Sequence, residues 1–195
     1  FGDAGIFSFY PAKLLGTAGD GGMICTNDDA LARKIRAFRD NGRVESVEVM
    51  ECFGWCTRLD NLHAAILNMK MNYFDKWVER RREIAKIYDK GLTGVGDILI
   101  HPVSGPDYFD AYQNYVIRTK IRNELVKYLK DNGIEVLVSW PTPIHKQKAL
   151  GLSNFNLPKT EQISAEVLSL PMYPELTNEE VEIVIDSIKN FFSKK

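Results

Sequence analysis

Short apolar runs, helical periodicities and polar breaks lay out the elements of this chain. Gly5 to Tyr10 and Gly22 to Thr26 are apolar or β-branched runs bounded by glycine, which predict two strands. Asn27-Asp28-Asp29 supplies a helix start, Leu31, Ile35 and Phe38 follow at helical spacing, and Asn41-Gly42 supplies the stop. Asp28 and Asp29 at one end and Arg36 and Arg39 at the other suit the helix dipole. Residues 43–57 show no sustained period and predict a loop, long enough to serve as a contact surface or an active-site flap. From Leu59 to about Leu92, Leu62, Ile66, Met69, Tyr73, Trp77, Ile84 and Tyr88 recur at steps of three and four. That pattern predicts one helix of roughly 30 residues, about 45 Å long, bridging two domains. The charged stretch from Lys76 to Glu83 is its solvated face.

Beyond a Gly-, Pro- and Asp-rich loop over 91–112, elements alternate. Asn114 to Thr119 predicts a strand, Arg122 to Asn132 a helix ended by Gly133, and Ile134 to Trp140 a further strand. Ser164 to Leu168 falls in a helix that stops before Pro171. Asn178 to Phe192 is a last amphipathic helix carrying Val181, Val184, Ile185, Ile188 and Phe192, with Thr177 as N-cap. The interleaving implies an α/β or α+β domain, and the reading divides the chain into residues 1–90 and 91–195.

Bulk properties narrow the functions. A length of 195 residues allows one generous domain or two small ones. The 25 basic and 26 acidic residues leave no basic excess for nucleic acid. No apolar run approaches the roughly 18–20 residues that span a bilayer, and the first residues lack the charged region and cleavage site of a signal peptide. Cys25, Cys52 and Cys56 are odd in number, and Cys52 with Cys56 has no second pair to complete a zinc site. Free thiols in a cytoplasmic protein, with no bound metal, are the expectation.

Chemistry concentrates near the start. Lys13 follows the apolar run from Ile6, with Ser8 five residues before it and Gly19-Asp20-Gly21-Gly22 after it. Apolar surroundings disfavour the ammonium form of a lysine, and a neutral amine attacks an aldehyde or ketone. Ser8 is placed to donate a hydrogen bond to a phosphate beside that lysine. The alternative is a strand end whose lysine snorkels to solvent.

The segment Phe7-Ser8-Phe9-Tyr10-Pro11-Ala12-Lys13 with the downstream Gly-Asp-Gly-Gly resembles the lysine loop of the DegT/DnrJ/EryC1/StrS nucleotide-sugar aminotransferases. Three more stretches resemble the family in the expected order: Arg58-Leu59-Asp60-Asn61-Leu62-His63-Ala64-Ala65-Ile66-Leu67, Trp140-Pro141-Thr142-Pro143-Ile144-His145, and Leu168-Ser169-Leu170-Pro171-Met172-Tyr173-Pro174-Glu175-Leu176. The resemblance implies the aspartate-aminotransferase fold type, with pyridoxal 5′-phosphate as cofactor, a nucleotide-linked keto-sugar as substrate and glutamate as amino donor. It implies that Lys13 forms the internal aldimine and is the catalytic base, and that Ser8 and the position of Cys56 contact the cofactor. Tyr10, Arg58, Trp140 and His145 become the expected substrate contacts. Residues 1–90 would be the end of a large domain with a mainly parallel sheet, and 91–195 a smaller C-terminal α/β domain, joined by the long helix. A homodimer with shared active sites, cytoplasmic and serving polysaccharide or glycosylated-metabolite synthesis, completes the expectation. In the family about half the enzyme precedes the lysine loop, so the chain is expected to be a fragment.

Departures from the family pattern keep alternatives open. Gly54-Trp55-Cys56-Thr57-Arg58 has Cys56 where relatives carry an asparagine that reaches the cofactor phosphate of the neighbouring subunit, and a thiol is a weak donor, so Thr57 or Arg58 must compensate or the cofactor is held less tightly. His63 replaces the usual glutamine and reads as packed or solvated. Ser139 and Gln113 stand where relatives tend to show histidine. His145 is either a sugar or phosphate contact or a satisfied structural histidine, and Trp140 either stacks on a sugar or base or packs in a core. The rivals are a non-catalytic regulatory or binding protein on the same fold, an inactive fragment, and a sugar dehydratase; relatives that dehydrate replace the lysine.

Overall fold

The computed structural model describes residues 2–45, 48–100, 105 and 107–195. Parts of the two expected loops, residues 46–47 of the first and 101–104 and 106 of the second, lie outside the described residues. The chain forms two compact units, Phe1–Asp75 and Lys76–Lys195.

In the first unit, β1 (Gly5–Ser8) and β2 (Gly22–Cys25) pair antiparallel, with Gly5 opposite Cys25 and Ser8 opposite Gly22. The loop between them, rather than a crossover helix, makes the pair antiparallel, since parallel neighbours need a long crossover. Helix α1 (Asp29–Arg39) starts where Asp28 Oδ1 accepts the Leu31 amide at 3.0 Å. It stops at Asn41 and Gly42, with φ of 55° and 82°. A side chain at Gly42 would lie 1.7 Å from the Cys52 carbonyl oxygen, so only glycine lets the following loop fold back there. That loop forms no helix or strand among its described residues but is laced to the end of α1. The Trp55 amide donates to Phe38 O at 2.7 Å, Thr57 to Arg39 O at 3.0 Å, and Arg33 grips Glu51 with two bonds of 2.6 and 2.8 Å.

The single long helix of the sequence reading is two helices, α2 (Asn61–Met71) and α3 (Phe74–Leu92). Asn72 interrupts them: its side-chain amide donates to the Met69 carbonyl, an alternative partner that Asn offers a helix backbone. The backbone at Asn72 stays helical (φ −65°, ψ −17°), which explains why the periodicity runs through the break. Burial differs on the two sides. On α2 Leu62 and Met69 are exposed, whereas on α3 Ile84, Tyr88 and Leu92 are wholly buried. Most of α3 therefore belongs to the second unit, which puts the division near Asp75 rather than residue 90.

The second unit has a three-stranded sheet in the order β3 (Leu99–Ile100), β4 (Tyr115–Arg118), β5 (Val167–Leu170), antiparallel throughout. Neither unit shows a parallel pair among the described residues, so the parallel sheet expected for the first is not seen. Helices α3, α4 (Arg122–Asp131) and α6 (Asn178–Ser193) supply a continuous apolar core that includes Leu125, Leu129, Ile185 and Ile188. Thr177 and Glu180 form a reciprocal capping box at the start of α6. Residues 134–140 are not a strand. Leu137 alone exchanges a pair of backbone bonds with Ser169, at 3.0 and 2.7 Å, and left-handed Trp140 followed by Pro141 ends the segment. Helix α5 (Pro158–Glu166) stops short of the predicted extent because residues 167–170 are strand β5. Only four residues long, Val-Leu-Ser-Leu is too short for its pattern to be separated from the end of a helix.

Buried Arg81 ties the unit together: Nη1 donates to Tyr112 O, Gln113 O and Met172 O at 3.0, 3.3 and 2.9 Å. The Tyr88 and Tyr115 rings lie 4.8 Å apart, with hydroxyls donating to Pro171 O and Asp89 Oδ1. Burial pushes both phenol pKa values up. No helix among the described residues is long and apolar enough to cross a membrane.

Two isoleucines of α6 test this account of the core. Ile188→Ala, at a site with no exposure, should cost about 2–5 kcal/mol in denaturant unfolding, and Ile183→Ala, at 60 % exposure, within about 0.5 kcal/mol.

Candidate functional site

The loop between β1 and β2 closes on itself. Phe9 donates to Gly21 O and accepts from the Thr17 amide, both at 2.8 Å, and the Lys13 amide donates to Tyr10 O at 2.9 Å. The neck of the loop is Gly16, where a Cβ would sit 2.5 Å from Pro11 O and 2.7 Å from Tyr10 O. No side chain fits there, so the residue must be glycine. Residues 10–13 are all exposed at the tip, Lys13 among them. The expected burial of Lys13 between apolar groups is thus not supplied by this chain: Leu14 and Leu15 turn partly inward while Lys13 stays in solvent. Ser8, also exposed, accepts from the Tyr10 amide at 3.4 Å, and among the described residues its own proton has no acceptor. Ser8, Tyr10 and Lys13 therefore share one turn.

Helix α2 underlies this loop. The Thr17 hydroxyl donates to His63 O at 3.2 Å, and Lys70 Nζ donates to Gly16 O at 2.6 Å. The His63 ring fills the space beside Gly19, where a Cβ would come within 2.9 Å of it, which identifies His63 as a packing residue. Leu59 lies as close to Gly21. Sequence reasoning missed Lys70, because nothing in local spacing links residues 54 positions apart.

Cys56 and Arg58 form a second group. Cys56 is exposed, and Arg58 Nη2 reaches its sulfur at 3.8 Å. Arg58 Nη1 lies 3.7 Å from Asp40 Oδ1, an oxygen that Arg43 also approaches at 3.1 Å. The guanidinium is more than half exposed, so the pairing is weak and leaves it able to take another anion. Thr57 is engaged through its backbone with Arg39. Arg58, with Arg36 and Arg39, borders a cleft of about 1030 Å³ whose walls include Ile6, Ile24 and Trp55.

Trp140 and His145 belong to the second unit, and α5 holds both. Ser164 Oγ donates to Trp140 O at 2.8 Å and reaches Pro141 O at 3.4 Å. Trp140 has φ of 53°, an unusual conformation for a bulky residue, and its indole is 76 % exposed. It is not core. His145 is buried, with Nε2 hydrogen-bonded to Glu161 Oε1 at 3.1 Å, and Lys146 Nζ meets the same oxygen at 3.1 Å. Of the two alternatives for this residue, the geometry matches the satisfied histidine. Glu161 and Ser164 had no signal in the sequence as partners of this turn.

Comparisons with known proteins agree over nearly the whole chain. Residues 1–189 match the model of the DegT/DnrJ/EryC1/StrS aminotransferase family. The pleiotropic regulatory protein of Geobacillus stearothermophilus is 40 % identical over 195 residues, covering 98 % of this chain and 52 % of that protein. The dTDP-3-amino-3,4,6-trideoxy-alpha-D-glucose transaminase of Micromonospora megalomicea subsp. nigra is 38 % identical, covering 96 % and 52 %. Among solved structures, that of S. venezuelae DesV in complex with a ketimine intermediate superposes with a TM-score of 0.91 at 35 % identity, over 97 % of this chain and 52 % of that one. The chain spans about half the length of the curated relatives it matches.

The His145 turn makes a prediction in acid. Hydrogen bonds from His145, then Lys146, hold the Glu161 carboxyl below the ordinary glutamate value of 4.5. A depressed carboxyl stabilises the fold fully above its unfolded pKa and loses that contribution as pH falls through the folded one. Unfolding midpoints of the parent should therefore drop on acidification below about pH 4.5. Glu161→Gln should start lower at neutral pH and show a shallower drop.

Proposed function

The chain belongs to the DegT/DnrJ/EryC1/StrS aminotransferase family, and from that premise we propose that its protein transfers an amino group from glutamate to a keto-sugar carried on a nucleotide, with pyridoxal phosphate as cofactor. The observation that carries the reading is the exposed amine of Lys13 in a loop closed at Gly16, one turn from the uncommitted hydroxyl proton of Ser8. This donor set fits the cofactor: an amine for its aldehyde and a hydroxyl for its phosphate, with the available guanidinium of Arg58 reaching an anionic group from the neighbouring subunit of the proposed homodimer. When bound, pyridoxal phosphate supplies an aldehyde carbon for a lysine to attack and a ring that withdraws electrons from the carbon gaining nitrogen.

Lys13 is the proposed covalent anchor and the base that carries the proton at the reacting carbon, both tasks of a nitrogen lone pair. Ser8 would donate to the phosphate. The weak Cys56 donor is backed by Arg58, whose guanidinium lies against the sulfur. Tyr10, Arg58 and Trp140 are the proposed substrate contacts, with exposed Trp140 offering a flat face to a sugar or base. His145, buried against Glu161, supports the Trp140 turn instead. In this reading the first unit belongs to a large cofactor-binding domain and the second is the small C-terminal domain. Exposed Phe53 and Trp55 beside Cys56 suit a homodimer with shared sites. Free thiols at Cys25, Cys52 and Cys56 suit a cytoplasmic protein.

A second reading, regulation without catalysis, is favoured by the name of the Geobacillus relative. Retention of Lys13 favours transamination over both that reading and dehydration. The deciding measurement is the absorbance spectrum of the full-length protein with pyridoxal phosphate, before and after glutamate. The parent should show a visible band that glutamate bleaches, and Lys13→Ala should show none. A Lys13→Ala band like the parent's, or no band in the parent, would bring regulation forward. Cys56→Asn restores an amide donor to phosphate and should tighten cofactor binding about tenfold in equilibrium titration.

A further inference from the structure

We infer that Lys70 is a positioning residue for Lys13, acting through the Gly16 carbonyl; the inference rests on the aminotransferase reading above. Lys70 sits in the last turn of α2, and its ammonium donates to Gly16 O at 2.6 Å. A charged donor makes this one of the stronger kinds of hydrogen bond. Among the described residues no carboxylate pairs with Lys70, so its charge is directed at that carbonyl alone.

The acceptor is the neck of the lysine loop. Gly16 is buried and packed against the carbonyls of Tyr10 and Pro11; its carbonyl shares a peptide plane with the Thr17 amide, which donates to Phe9 O at 2.8 Å, so Lys70 holds one end of that plane and Phe9 the other. Rotation of that plane would move residues 10–13, which are exposed and held within the loop by the bond from Lys13 N to Tyr10 O. A second tether runs from the Thr17 hydroxyl to His63 O. Positions 63 and 70 are seven residues apart, two helical turns, and lie on the same face of α2 roughly 10 Å apart along its axis. The loop neck is thus pinned to a rigid helix at two points, and Lys70 supplies the only charged one among the described residues. Placement of a nucleophile is steeply sensitive: a shift of about 1 Å can cost about a hundredfold in rate. Loss of the Lys70 bond should appear as misplacement of Lys13 and not as loss of fold.

The test uses the full-length protein as Lys70→Met, Lys70→Arg and Lys70→Gln. The first readout is the rate at which the visible band of the lysine-bound cofactor forms when pyridoxal phosphate is added to cofactor-free protein. The second is amide exchange over residues 10–17, and the third the thermal unfolding midpoint. Lys70→Met should slow band formation about 10- to 100-fold, raise exchange in residues 10–17 alone, and leave the unfolding midpoint within a few degrees. Lys70→Arg, which keeps a charged donor, should recover most of the rate. Should Lys70→Met not fold, Lys70→Gln must still slow the reaction at least about threefold. A Lys70→Met rate within about twofold of the parent, or a Lys70→Arg rate as slow as Lys70→Met, would overturn the inference. Lys13→Ala separates the two levels. If it keeps the band, the assignment of Lys13 fails and Lys70 with it; if it loses the band while Lys70→Met is fast, only the role of Lys70 fails.

Discussion

The close approach of the chain to itself at Gly16 is the constraint on which the first unit depends. Two backbone carbonyls, of Tyr10 and Pro11, occupy the space where any other residue would carry a side chain. Because Gly16 tolerates them, the Thr17 amide reaches Phe9 O, and β1 and β2 emerge from the loop in register. Loop closure costs conformational entropy, and the bonds that offset it come from the loop's own backbone and from α2. Lys13 is thereby presented at an exposed tip without any packing of its own side chain.

Burial is divided unevenly between the two units. The second carries a continuous apolar core around Ile84, Tyr88, Ile117 and Ile188, and buries Arg81 where three carbonyls satisfy one of its nitrogens. In the first, Ala37 and Leu67 are the buried apolar side chains among the described residues, while Ile6, Phe53 and Leu62 are largely exposed. The two units thus use opposite means. The second is held by burial, whereas the first is held by backbone bonds, caps and ion pairs such as Arg33 with Glu51.

The candidate groups follow the same logic. Arg58 is oriented by Asp40 and Cys56, yet enough of it is exposed to exchange those partners for a stronger anion. Trp140 is kept outward by a left-handed backbone and by Ser164, and the other end of its turn is locked by Glu161 against His145. Helix α5, short and largely exposed, serves chiefly to hold that turn.

Local chemistry was enough to read much of this chain from its sequence. The caps at Asp28 and Thr177, the stops at Gly42 and Gly133, and the strands flanking the lysine loop are set by neighbours within a few residues, which is the range over which propensity and periodicity act. Four ordered motifs also sufficed to name the family and to single out Lys13 and Ser8. The break at Asn72 was hidden because the backbone barely leaves helical geometry there, and β5 was hidden because four residues are too few to tell a strand from the end of a helix. The antiparallel pairing and the bond of His145 to Glu161 depended on partners beyond the reach of local pattern. So did the tether of Lys70 to Gly16, across 54 residues. The sequence by itself determined which groups the site can use, since reactivity resides in side chains. Only the tertiary structure decided which of them share a turn, because long-range hydrogen bonds and close approaches exist only once the chain has returned upon itself.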